Sequence, residues 1–276
     1  MRTFFRWLAI ALAALTALLL MLVLVLSLLD VTLDLDHMRG GVETSASAAL
    51  GRDVNIRGTV RLELSGWPSI EVRDVEIANV PGASTDMFFK AGLARLQIGM
   101  LPLLRGELQI GEVTAADVEL HLENDAEGKA NWDFGGDAEQ QADKPSNGRL
   151  LSFGGLYELS LQQVGLVYHD AALGKTLGFD IDSLHGKAPP GQPMQMQLDG
   201  SLQGESYHLQ LNGDPVDDLL DRAEDWRFTL TGEAFDRQID ASGSKAVKDD
   251  EPEVGLTLTV QDAAIGTILD RLGLVE

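Results

Sequence analysis

From Arg52 onward apolar and polar side chains alternate with a period of two, and few folds accept that pattern. Val60, Leu62 and Leu64 alternate with Arg61 and Glu63. Ile70 and Val72 alternate with Glu71 and Arg73, and Val75 and Ile77 resume one step out of phase. Leu96 and Ile98 follow the same rule, as do Leu108 and Ile110, then Val118, Leu120 and Leu122. The second half repeats it in Tyr157, Leu159 and Leu161, in Leu177, Phe179 and Ile181, and in Met194, Met196 and Leu198. Tyr207, Leu209 and Leu211 come next, followed by Trp226, Phe228 and Leu230, and by Val254, Leu256, Leu258 and Val260. Successive side chains of a strand point to opposite faces, so this spacing predicts antiparallel strands with one dry and one wet face. The slip at Arg73–Asp74 predicts a bulge.

The pattern predicts some fifteen strands of about five to seven residues, or roughly 17–23 Å each. A closed barrel, a two-sheet sandwich and a long curled sheet all cover an apolar face of that kind. Polar outer faces argue against an outer-membrane barrel, which is apolar outside. Helical sequence is scarce. Asp36 to Leu50 reads as a short amphipathic helix with Gly51 as its C-cap, and Leu101-Pro102-Leu103-Leu104 as one helical turn between strands. Asp214-Pro215 opens a further turn, and Ile265, Ile268, Leu269 and Leu272 form the stripe of a final helix. Gly135 to Arg149 and Ser242 to Glu253 read as polar interruptions, the first as a linker between two β units. The expected organisation is therefore residues 1–29, 30–134, 135–149 as linker, and 150–276 as a second β unit ending in a short helix.

The segment Trp7 to Leu29 carries no charge, and its only polar interruptions are Thr16 and Ser27. At about 1.5 Å per residue it makes roughly 35 Å of helix, enough to cross a bilayer with some tilt. The run is longer than the apolar core of a secretory signal and ends without small residues at a cleavage site, so it is expected to stay as an anchor. Trp7, Leu8, Leu12, Leu15, Leu18, Leu22, Leu26 and Leu29 would face lipid. Arg2 and Arg6 precede the span and Asp30, Asp34 and Asp36 follow it, which sets the N-terminus in the cytoplasm and the bulk across the membrane.

Beyond Arg2 and Arg6 the chain carries 19 of its 21 Lys and Arg against 43 Asp and Glu. A surface charge near −24 repels phosphate backbones and excludes counterion-driven nucleic-acid binding. Without cysteine there is no disulfide, thiolate metal site or cysteine nucleophile. His121 shares a strand face with Glu119 and Glu123, but such a trio is more often a solvated face than a metal site. His169 and His185 lack zinc-ligand spacing. No phosphate loop, nucleophile elbow or cofactor motif stands out, and Asn131-Trp132 reads as packing, with Trp the buried member. A non-enzymatic chain is expected.

Several stretches resemble the AsmA family of bacterial envelope proteins. Leu50-Gly51-Arg52-Asp53-Val54-Asn55-Ile56-Arg57-Gly58 is similar to the start of that family, and Val75 to Asn79 to one of its strand ends. Met100 to Ile110 resembles its Pro-Leu-Leu segment, Gly128 to Phe134 its Asn-Trp ending, Leu161 to Asp170 a later strand, and Leu269 to Leu274 a helix end. Family members usually continue into further β repeats, so a short or truncated member is expected, stopping at Glu276. The resemblance implies a mainly β fold in which a transmembrane helix leads into an elongated, curled antiparallel sheet, a half-pipe groove with a few short helices. It implies inner-membrane anchorage, a periplasmic β domain, and kinship with TamB-like and chorein-type lipid-transfer proteins. The alternating residues would then line a lipid groove: Val60, Leu62, Leu64, Ile70, Val72, Val75, Ile77, Leu96, Ile98, Leu108, Ile110, Val118, Leu120 and Leu122 in the first half, and Leu159, Leu161, Phe179, Ile181, Met196, Leu198, Leu209, Leu211, Phe228, Leu230, Leu256 and Leu258 in the second. Phospholipid acyl chains are the expected ligand. Fifteen strands in one sheet would extend roughly 70 Å, and a partner from the envelope would complete the path. The competing expectation is a tethered adaptor that binds envelope proteins by adding a strand at an open edge.

Overall fold

The computed structural model describes residues 31–134, 152–220, 225–248 and 251–260, together with Met21. The anchor Trp7 to Leu29 with Arg2 and Arg6, the linker 135–149 and the final helical stripe lie outside those residues, save Met21. Among the described residues no helix is long and apolar enough to cross a membrane.

The alternating stretches form thirteen strands in one sheet. They are β1 (Val31–Asp34), β2 (Val54–Ile56), β3 (Val60–Leu64), β4 (Ser69–Ala78), β5 (Met87–Ile98), β6 (Glu107–Asn124) and β7 (Ser152–Asp170), then β8 (Lys175–Ala188), β9 (Met194–Leu202), β10 (Glu205–Gly213), β11 (Trp226–Ala234), β12 (Arg237–Lys248) and β13 (Glu251–Val260). Twelve lie side by side in the order β1-β3-β4-β5 and on through to β13, with β2 beside β4. Neighbours are antiparallel except β6 and β7, which run parallel from Glu107↔Ser152 to Asn124↔Asp170. The stretches before and after the linker thus contribute to the same sheet.

Among the described residues three α-helices punctuate the strands: α1 (Arg39–Leu50), entered through a 3-10 turn at Asp36–Met38, α2 (Met100–Leu104) and α3 (Val216–Leu220). Gly51 ends α1 in the left-handed conformation (φ 64°), as the sequence led one to expect. Asp36, just before α1, accepts the Val60 N–H at 2.9 Å and pairs with Arg39 at 3.2 Å, fixing the chain's entry against β3. The Val60 N–H, followed by Arg39, holds its carboxyl below the usual carboxylate range.

The strands differ from expectation in length. β6 has 18 residues and β7 has 19, where runs of five to seven were expected. Each phase slip reads in the sequence as a strand end, whereas the chain absorbs it as a bulge, as at Gly111, or as a paired change of face, as at Asp117, and continues. Leu108–Ile110 and Val118–Leu122 accordingly belong to one strand, β6, interrupted at Gly111 and Asp117. The polar stretch Ser242 to Glu253 is also corrected: it supplies the end of β12 and the start of β13. Gly243 is required there because the Phe228 ring lies over it; a Cβ would stand 2.2 Å from that ring.

The slip predicted at Arg73–Asp74 is one point on a line that crosses five strands. Asp74 has φ 50°, Asp117 φ 53° and Gln163 φ 49°, all in the left-handed region that L residues rarely occupy. Asp74 and Gly92 stand at the same level between the pairs Arg73↔Leu93 and Val75↔Ala91. Asp117 lies opposite Gly92 on β6, Gln163 opposite Asp117 on β7, and Asp182 opposite Gln163 on β8. Every strand from β4 to β8 slips its alternation by one residue at this level. Because all slip together, pairing is kept and the apolar face continues across the crease.

Candidate functional site

The register converts the alternation into rows that run across the sheet, since directly paired residues share a face. One row starts at Leu33 and passes through Leu62, Ile70, Leu96, Val113 and Leu159. It continues through Gly186, Met196, Leu211, Leu230, Ala241 and Leu258. All twelve positions, one per strand, are apolar or glycine. The adjacent row on the opposite face is Asp34, Arg61, Glu71, Arg95, Thr114 and Ser160, then His185, Gln197, Gln210, Thr231, Asp240 and Thr259. All twelve of those are polar.

Three further apolar rows lie beside the first. Val60, Val72, Ala94, Ala115 and Leu161 lead through Leu184, Leu198, Leu209 and Gly232 to Ile239. Beyond the crease come Val75, Ala91, Val118, Val164, Ile181, Gly200, Tyr207 and Ala234. The last row is Ile77, Phe89, Leu120, Leu166, Phe179 and Leu202. Among the remaining expected residues, Leu64 pairs with Val31, Ile98 with Ile110, Leu108 with Phe153, Leu122 with Tyr168, and Gly243 with both Phe228 and Leu256. The alternation also ran through Leu33, Val113, Leu166, Leu184 and Ile239, which sequence reasoning missed because each lies past a slip or in a run with few apolar neighbours.

This face has no second layer among the described residues. Most of its large side chains are half-buried rather than enclosed, and Ile70 stays 39 % exposed. Among the described residues only Val60 is fully buried of the larger side chains. A filled two-sheet sandwich would bury such residues almost completely. Two small clusters stand on the face: Ala188, Met194 and Trp226 at one edge, and Tyr207, Ala234 and Phe235 towards the other. Tyr207 reaches across β9, stacks on Phe179 at 5.5 Å between centroids and donates to the Asp180 carbonyl at 2.7 Å. Gly200 makes room for it, for a Cβ there would fall 2.0 Å from that same carbonyl oxygen. Burial, with the nearby Asp182, Asp180 and Asp199, pushes the Tyr207 phenol up to about 12.

At one end of β4, β5 and β6 a clasp ties distant stretches together. Asn131 is buried; its Nδ2 donates to Asn79 Oδ1 at 3.1 Å and to the His121 carbonyl at 2.9 Å. Its Oδ1 accepts the Glu123 N–H at 2.9 Å, and its carbonyl accepts from Arg52 Nη2. The Arg52 guanidinium sits between the Phe88 and Phe134 rings, 4.8 and 4.4 Å from their centroids. Burial pulls it below its ordinary value. The packing expected of Asn131-Trp132 is therefore inverted: Asn131 is the buried hub and Trp132 is 39 % exposed. An amide saturates three backbone or side-chain partners at a strand end, which an indole with one donor cannot do.

On the polar face, among the described residues, the expected trio of His121, Glu119 and Glu123 does not come together. Glu119 pairs with Lys90 at 3.3 Å and Glu123 accepts from Ser84, so neither joins His121. Among the described residues no group of three or more His, Cys, Asp or Glu is arranged to hold a metal. Arg95 pairs with Glu63 and Arg73 with Glu71, both at 2.8 Å, as cross-strand or same-face ties between solvated side chains.

A single open sheet, apolar on one face along its whole width and polar on the other, defines a class of extended β proteins. The chain belongs to the AsmA family, whose family model matches residues 5–182. No curated protein matches it. The clasp explains the motifs quoted above in physical terms, because Arg52, Asn79 and Asn131 come from three of them.

Proposed function

We propose that this chain is a single-pass inner-membrane protein of the bacterial envelope. Its sheet, curled into a half-pipe in the periplasm, shelters phospholipid acyl chains in transit between membranes and supports outer-membrane assembly. One observation carries the reading: the unbroken apolar row from Leu33 to Leu258, backed by an unbroken polar row. A trough of that kind holds a fatty chain without specific contacts, since each CH₂ withdrawn from water contributes about 0.8 kcal/mol. Head groups and the polar face stay in water. Among the described residues, twelve strands at about 4.8 Å give roughly 53 Å of trough. The apolar rows would act as the lipid-lining residues.

Photo-crosslinking from neighbouring positions on opposite faces tests this in the full chain. Leu198 should give phospholipid adducts in native membranes and Gln197 should not. Equal lipid yields from both, or protein adducts alone, would sink the conduit and favour the strand-adding adaptor. Leu62→Asp and Leu120→Asp should impair envelope integrity far more than Arg61→Ala and Glu119→Ala, which change the wet face.

A further inference from the structure

A single residue, Asp30, separates the apolar run Trp7 to Leu29 from β1. In the anchored reading β1 is therefore the strand nearest the bilayer, and the apolar rows lead away from it by about 4.8 Å per strand. Two elements make up this outermost layer. β3 and β2 follow one another along the same side of β4, through Leu62↔Ile70 and Ile56↔Val75. β1 lies outside β3, and α1 lies outside β2. The N–H groups that β2 turns outward are taken by the helix: Ser47 Oγ accepts from Val54 at 2.9 Å and Glu43 Oε1 from Ile56 at 2.7 Å. Asp36, in the turn before α1, does the same for Val60. Burial divides the layer accordingly. Where α1 and its entry turn lie, the rows begin at Val60, Ile56 and Val54, which are 1 %, 5 % and 7 % exposed. Where β1 lies, the row begins at Leu33 and runs on to Leu62 and Ile70, and Leu33 and Ile70 are each 39 % exposed.

We propose that this edge is a portal with one door: an acyl chain passes from the bilayer into the trough over Leu33, Leu62 and Ile70, and α1 shuts the rest of the edge. A fatty chain that enters at Leu33 meets an apolar side chain or a glycine on every strand it crosses, so it is never returned to water. One that entered across α1 would have to displace the helix and strand the N–H groups of Val54 and Ile56, which costs hydrogen bonds that the door does not ask for. The inference rests on the conduit reading above and adds to it the place where lipid enters.

Passage is read further along the trough, from a photo-crosslinker at Leu198 in the full chain and in native membranes. Leu33 and Val42 make a matched pair: both stand on this edge, 39 % and 40 % exposed, one in the door and one on α1. Leu33→Asp sets a charge in the path and should cut phospholipid adducts at Leu198 by about threefold or more. Ile70→Asp should act alike, and Val42→Asp should leave the yield unchanged. An unchanged yield in Leu33→Asp overturns the portal. An equal fall in Val42→Asp overturns it too, by spreading entry over the whole edge. Because a new charge can harm folding, the crosslinker is also placed at Leu33 itself, where phospholipid adducts are expected and their absence overturns the portal. No phospholipid adduct at Leu198 in the otherwise unaltered chain would instead remove the conduit, and this inference with it.

Discussion

The strands β4 to β8 and the strands β9 to β12 keep the same apolar face continuous by different means. In the first group a crease crosses every strand at one level, through Asp74, Gly92, Asp117, Gln163 and Asp182, and the clasp around Asn131 fastens one end. In the second the strands are a plain meander with two-residue turns such as Gln203-Gly204 and Phe235-Asp236. There glycines make room for rings, Gly200 beneath Tyr207 and Gly243 beneath Phe228. The family match ends at residue 182, where the crease ends. A crease needs particular residues at particular levels, because few side chains tolerate the left-handed region, whereas a meander needs only alternation.

Substitutions on both sides of that contrast, each set against a control, would break or sharpen it, measured by denaturation of the full chain in detergent. Asn131→Leu should cost the most, about 2–5 kcal/mol, since it strands the Glu123 N–H and the His121 carbonyl in a buried place. An exposed change on the meander, Gln197→Ala, should stay within about 0.5 kcal/mol; similar losses for the two would mean the clasp does not hold the creased part. Gly200→Ala should cost about 3 kcal/mol by forcing backbone apart, while Gly178→Ala, with open space around it, should be nearly silent. Asp117→Val and Gln163→Val should each cost about 1–2 kcal/mol, because a β-branched residue strains at positive φ. Asp117→Gly, in contrast, should hold or gain stability, and a loss there would show that the carboxylate rather than the backbone sets the crease. Tyr207→Phe should cost about 1 kcal/mol, one hydrogen bond. The folded Tyr207 phenol titrates above its ordinary 10.0, at about 12, so its contribution is whole below pH 10 and is lost as pH rises through about 12. Ultraviolet titration of phenolate should lose its latest phase in Tyr207→Phe; a wild-type curve without that phase would mean the ring is not held over Gly200.

The face was legible in the sequence because period two needs nothing beyond neighbours. Leu62, Leu120 and Leu211 could be assigned to it before any partner was known. The slip at Asp74 was legible too, since both of its flanks are strongly apolar, but it is a paired crease with Asp74 opposite Gly92 and not the bulge expected. Gln163 was not: Leu161 and Val164 flank it, but nothing local tells a slip inside one long strand from the gap between two short ones. Only its partners Asp117 and Asp182 reveal it, and they come from other strands. The clasp was hidden for a similar reason. Arg52, Asn79 and Asn131 each look like ordinary loop residues, and a polar group's burial depends on contacts that span up to 79 positions. Helices were easier, for α2 follows directly from Leu101-Pro102-Leu103-Leu104.

The parallel seam between β6 and β7 has a kinetic consequence. Nearly every other junction joins strands close in sequence, so the hairpins on each side can zip locally and fast. The seam instead asks two long strands to find each other in register after a 27-residue excursion from Asn124 to Ser152, and loop closure makes that the slow step. Each half would mature first as its own sheet with an unpaired border, and the final event in folding would be the meeting of those borders. Until then two sticky edges stand exposed, and that interval is when a holdase would matter most to this chain.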